Sequence, residues 1–269
     1  TLNLNGDTIS GVPQGSSISI IPYWTLDTVF PASSAGASFT PSTGPAARSR
    51  GTEILFPDDS DAGINNAPGT ILNPAPPTSV TYYYYNGQWC NTGQDYSVNV
   101  GNTPIPVNGY FIIRSVASSG TLTAMGTVPL NSTVVPLTTQ SNSQQDNAVS
   151  VEQPVGVSLN NLGLITSGAF TASAGSASRN IADQLLIPDN TIPGINKSVP
   201  VPQYTGTLPT YATGTYYYYN GAWRNSNFDN TIDCGSQLLQ AGTGFTIRKV
   251  STTTGTSATW TVTPTYSNN

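Results

Sequence analysis

Hydrophobic positions recur at every second residue in short bursts, and Gly, Pro, Asn and Ser separate the bursts. Leu2-Asn3-Leu4-Asn5 and Trp260-Thr261-Val262-Thr263 show the alternation most plainly. A period of two lays alternate side chains on one face of a strand. Residues 16–21, 109–116, 149–157 and 245–250 are predicted strands on related grounds. Thr81-Tyr82-Tyr83-Tyr84-Tyr85 and Thr215-Tyr216-Tyr217-Tyr218-Tyr219 are aromatic, β-favouring runs. Each leads into Asn-Gly, at Asn86-Gly87 and Asn220-Gly221, the pair preferred where a type I′ hairpin turn needs two positive φ angles. Trp89 and Trp223 then fall on the return strands. Helix is scarce. Single turns are predicted after Thr25 and after Ser158, each residue serving as N-cap. Many short strands between turn signals predict an all-β chain of sandwich or barrel-like units.

The chain repeats itself. The segment from Thr81 to Trp89 recurs from Thr215 to Trp223, and Phe111-Ile112-Ile113-Arg114 recurs as Phe245-Thr246-Ile247-Arg248, both at an offset of 134. Upstream, Ile54-Leu55-Phe56-Pro57-Asp58 matches Leu185-Leu186-Ile187-Pro188-Asp189 at 131, as do Phe39 with Phe170 and Arg48 with Arg179. The drift is a three-residue loop difference, which costs little on a surface. Each copy is large enough for its own core. The expected organisation is a first β-domain over 1–137, a polar linker over 138–148 and a second β-domain over 149–269.

Composition narrows the chemistry. Only 8% of residues are charged, with 8 Lys+Arg, 13 Asp+Glu and a formal net charge of −5. An average soluble domain carries about 25%. The absence of histidine removes Ser-His-Asp and Cys-His catalysis and His-ligated metals. So few basic residues leave no face for nucleic acid. No apolar run is long enough for a membrane-spanning helix. Thr1 opens the chain with neither Met nor a signal peptide, so the sequence reads as mature or as a fragment.

Several candidate sites remain. Tyr82 and Tyr84 point one way and Tyr83 and Tyr85 the other, and Tyr217 and Tyr219 are the counterparts of Tyr83 and Tyr85. One face of each hairpin is core. The other, with Trp89 and Trp223 nearby, is a candidate for further packing, for a subunit interface, or for stacking on sugar rings. Cys90 and Cys234 fit no CxxC motif. They are either an extracellular disulfide stapling the two copies or two buried thiols. Asp58-Asp59-Ser60-Asp61-Ala62-Gly63 fails the EF-hand pattern, leaving an irregular calcium site or an Asp-rich turn. Arg114 and Arg248 recur, as do Asp58 and Asp189, and are expected to form an internal ion pair in each copy. Among Glu53, Asp58, Glu152, Asp183 and Asp189 no spacing singles out a glycosidase pair. No catalytic residue, cofactor or metal is expected, and the chain is read as a non-enzyme.

Asn3-Leu4-Asn5-Gly6-Asp7-Thr8, Ile21-Pro22-Tyr23-Trp24-Thr25-Leu26, Glu53-Ile54-Leu55-Phe56-Pro57-Asp58, Gln144-Gln145-Asp146-Asn147 and Tyr218-Tyr219-Asn220-Gly221-Ala222-Trp223-Arg224 resemble an uncharacterised family. Its members are secreted hypothetical proteins of Verrucomicrobia and related bacteria with two internal repeats. The resemblance covers nearly the whole chain and implies an extracellular or cell-surface location. It carries no activity. Hairpins of that family typically lack cysteine, so Cys90 and Cys234 depart from its pattern. The expectation is a secreted structural subunit that associates with itself into a filament or surface layer, with Leu2 and Leu4 on a strand at the subunit contact. The alternative is a two-module protein that binds polysaccharide or acts as an adhesin.

Overall fold

The computed structural model describes residues 24–57, 62–64, 70–71, 78–79, 81–105, 107–116, 122, 130–151, 153–177, 180–195, 198–252, 255 and 257–266. The predicted strands at 2–5 and 16–21, the Leu2/Leu4 contact and the Asp58–Asp61 loop lie outside these residues. The chain is all-β. In order, the elements are helix α1 (Leu26–Val29) and strands β1 (Glu53–Leu55), β2 (Thr70–Ile71), β3 (Thr78–Ser79), β4 (Tyr82–Tyr85), β5 (Gln88–Asn91), β6 (Ile112–Arg114), β7 (Thr133–Leu137), β8 (Gln145–Ser150), β9 (Val157–Ser158), β10 (Gln184–Ile187), β11 (Gly214–Tyr219), β12 (Ala222–Asn225), β13 (Leu238–Leu239), β14 (Gly244–Lys249) and β15 (Ala258–Val262).

Two antiparallel sheets share one topology. The first runs β5-β4-β1-β6 and the second β12-β11-β10-β14-β8. Their registers correspond residue by residue. Ile54 opposes Tyr82 and Ile113, while Leu185 opposes Tyr216 and Ile247. Tyr84 opposes Trp89, and Tyr218 opposes Trp223. These partners are the ones the sequence offsets relate. Both Asn-Gly turns have the expected backbone, with φ of 52° and 83° at Asn86 and Gly87 and 49° and 76° at Asn220 and Gly221.

Each sheet has its own apolar cluster. The smaller gathers Leu26, Val29 and Phe30 from α1 and its end, Phe39, Ile54, Tyr82, Tyr84 and Trp89. Thr25 caps α1 as expected: its hydroxyl accepts the Thr28 N–H, and its own N–H donates to Thr28 Oγ1 at 2.6 Å. Ser158 also occupies an N-cap position, but over a 3₁₀ turn (Leu159–Asn161) and without a side-chain cap bond. The larger cluster joins the second sheet to the β7–β15 ribbon and the β9–β13 pair. Phe245 of β14 meets Trp260 of β15 edge-on at 6.0 Å, and the Trp260 indole N–H donates to the Leu162 carbonyl at 2.7 Å.

Part of the stretch expected as a linker is strand. Residues 145–148 of that linker are in β8, which pairs along its length with β14. β7, assigned from sequence to the first domain, pairs with β15 and sends Val135 and Leu137 into the larger cluster. The polar look of 138–148 misled because Gln145 and Asn147 are buried polar residues whose amides are bonded. Asn147 accepts the Thr138 N–H at 2.6 Å and donates to the Thr138 carbonyl at 3.0 Å, tying β7 to β8. The copies also touch. Gly63 N–H donates to Gln145 Oε1, Asp146 N–H donates to the Gly63 carbonyl, and Ser150 N–H donates to the Asn108 carbonyl. The Tyr110 ring lies against Gly244, where a Cβ would meet it at 2.4 Å.

Candidate interaction surfaces

The two tyrosine hairpins are equivalent aromatic knots. Trp89 stands 5.2 Å from Phe39 and 5.6 Å from Tyr84, and Trp223 stands 5.0 Å from Phe170 and 5.5 Å from Tyr218. Ser42 N–H donates to the Tyr84 carbonyl at 2.7 Å and Ser173 N–H to the Tyr218 carbonyl at 2.8 Å, so one loop of each copy is laced to its hairpin in the same way. This geometry corrects the interface expectation for four residues. Tyr83, Trp89, Tyr217 and Trp223 are buried within their own chain and present no platform. In the first copy the following loop lies over the side away from the core: the Tyr96 carbonyl accepts from Cys90 Sγ and Gln88 Nε2, and the Tyr96 ring meets Tyr85. In that loop the Asp95 carboxylate accepts the Ser97 N–H, and its equivalent Asp229 accepts the Thr231 N–H, each at 2.8 Å. Those backbone N–H bonds hold both carboxyls below their ordinary value. Tyr85 and Tyr219, at the hairpin tips, stay half-buried.

The cysteines are two buried free thiols, one in each sheet region, and the candidate bridge is not formed. Cys90 Sγ donates to the Tyr96 carbonyl at 3.2 Å. Burial pushes both thiols up, Cys234 to about 11. A thiol held protonated is a poor nucleophile and a poor ligand. Burial likewise raises the Tyr216 phenol to about 12. Its hydroxyl donates to Gln237 Oε1 at 2.9 Å, as a buried hydroxyl should.

Charge is used sparingly and differently in the two copies. Arg248 pairs with Asp146 across β14 and β8 through two bonds of 2.7 and 2.9 Å, and Arg114 approaches Glu53 at 3.9 Å. Recurring arginines therefore do find acids, but not the expected Asp189, which accepts from the Thr191 N–H and hydroxyl in a local turn. Glu53 also takes Arg50 at 3.1 Å, and that guanidinium lies 5.2 Å from the Tyr83 ring centre. In the second copy Gln184 stands where Glu53 does, and Arg224 stands where Cys90 does. Arg224 is buried, with Nε and Nη1 lacking hydrogen-bond partners among the described residues. A buried Asp183–Lys249 pair occurs only in the second copy. Neither Arg224 nor this pair was singled out from sequence, although the inward register of Lys249 after Phe245 and Ile247 was readable there.

Among the described residues no group of three or more Cys, Asp or Glu is placed to hold a metal ion, and no helix is long and apolar enough to cross a membrane. No protein-family model, curated protein or solved structure matches the chain.

Proposed function

We propose that the chain is a secreted structural subunit that associates with itself into an extracellular filament or surface layer, with the β7–β15 ribbon as a contact face. One observation carries this reading. The ribbon turns Val135, Leu137, Trp260 and Val262 inward, and its outer face holds Val134, Pro136, Thr259 and Thr261. Val134 is 58% exposed, and Leu130 just before it is 69% exposed. Neither stretch feeding the ribbon, 115–145 or 250–269, contains a charged residue. Proteins that stay monomeric usually guard short sheets with charge. Here two such faces meet without desolvating any ion. Pro136 withholds an N–H from the β7 edge, so contact through the face is favoured over strand addition there. The resemblance to secreted proteins supports the location.

Val134→Lys tests the reading, because an exposed lysine leaves the core untouched. Light scattering after size exclusion should show concentration-dependent association of the parent chain and a monomer for the variant. Association that is unchanged in the variant removes the ribbon from the contact. A second reading, polysaccharide binding, draws on Tyr96, which is 52% exposed and edge-on to Tyr85 at 6.0 Å. A monomeric parent chain that is retained by an insoluble polysaccharide, and loses retention on Tyr96→Ala, would replace the first reading.

A further inference from the structure

Asp183 and Lys249 stand where their strands' alternation calls for apolar residues. Leu185 and Ile187 of β10 face the larger core, and Asp183 precedes them by one step on the same face. Phe245 and Ile247 of β14 face that core too, and Lys249 takes the third inward position. Gln184 pairs with Arg248, so the next residues along, Asp183 and Lys249, oppose each other on the core side. Their side chains are 0% and 4% exposed. The Lys249 ammonium donates to Asp183 Oδ2 and to the Ala169 carbonyl. Two backbone donors complete the carboxylate's surroundings. Thr171 N–H reaches Oδ2 and Val250 N–H reaches Oδ1, each at 2.7 Å.

The first copy shows that the fold does not require charge here. Thr52 and Ser115 hold the corresponding positions. Thr52 Oγ1 accepts the Thr40 N–H at 2.9 Å, the same role that Asp183 plays for Thr171. A buried ion pair often stabilises no better than neutral residues of similar volume, because both charges must be stripped of water. What the pair adds over Thr and Ser is a primary amine held against a carboxyl carbon in a dry core.

We propose that Lys249 and Asp183 join through an intramolecular isopeptide bond. Transfer of the shared proton along the Nζ–H···Oδ2 hydrogen bond gives an amine facing a carboxylic acid, the pair of groups that condenses to an amide. The amine lone pair attacks Asp183 Cγ and forms the Nζ–Cγ bond. Negative charge develops on Oδ1, where the Val250 N–H already points. A proton passes from Nζ to the Oδ2 hydroxyl, the Cγ–Oδ2 bond breaks, and water leaves as the carbonyl re-forms. One amine and one carboxylic acid become one amide and one water, so no oxidant or co-reactant is needed. The product ties β10 covalently to β14.

Intact-mass spectrometry of the full chain, folded on expression and then denatured and reduced, tests this directly. The cross-linked chain is lighter than its sequence mass by one water, about 18 Da. The Lys249→Met chain should show its full sequence mass. Trypsin should release residues 180–197 joined to 249–269 as a branched peptide, because an acylated lysine no longer directs cleavage. A parent chain at full sequence mass with separate peptides overturns the proposal. So does a water loss that persists in Lys249→Met.

Discussion

At the scale of single residues, burial decides what each aromatic and thiol does. Trp223 is closed in by Phe170 and Tyr218, so Trp223→Ala should destabilise the second sheet by about 3–5 kcal/mol. Tyr219→Ala, at the half-buried tip, should cost under about 1 kcal/mol. Urea midpoints compare the two, and equal losses would contradict the knot described above. The buried Cys234 thiol sets an alkaline limit. Its value rises from 9.0 to about 11 on folding. A raised value in the folded state favours the protonated thiol there. The stabilisation is therefore fully present below pH 9 and is lost as pH climbs through 11. Unfolding midpoints measured across that range should fall less steeply in Cys234→Ala than in the parent chain. Alkylation without reductant should label neither thiol in the folded chain and both after denaturation.

At the scale of elements, local chemistry in the sequence went far. The two Asn-Gly turns, the Thr25 cap and the equivalence of Ile54 with Leu185 and of Tyr82 with Tyr216 were legible because each rests on neighbouring residues or on the repeat itself, whereas the pairing of Ile54 and Leu185 with the tyrosine strands was not. β7 and β8 were not. Gln145 and Asn147 look like linker residues until their amides are seen bonded inside the sheet, and Val134-Val135-Pro136 hides a strand behind a proline. The outer face of the hairpins stayed open between packing, interface and sugar stacking for a related reason: alternation tells two faces apart but does not say what covers the outer one. The partner of Arg248 was missed because an ion pair depends on register between strands distant in sequence. The consequence for β7 and β8 is measurable. A fragment of residues 130–269 retains β7, β8 and the whole larger cluster and should fold cooperatively by circular dichroism. A fragment of 149–269 lacks Val135 and Leu137 and most of β8, and should not. Equal folding of both fragments would show that the β7–β15 ribbon contributes nothing to that core.

At the scale of the molecule, one sheet topology is used twice, and the copies differ where charge is placed. The first keeps Glu53 between Arg50 and Arg114; the second moves acid to Asp146 and Asp183. Much of the remaining surface is neutral hydroxyl and amide, a composition suited to repeated close contact between identical chains. The proposed assembly is tested most directly by negative-stain electron microscopy of the purified full chain at high concentration. Association through the β7–β15 ribbon should give regular filaments or sheets that disappear in Val134→Lys. Dispersed particles of single-chain size, unchanged as concentration rises, would contradict it.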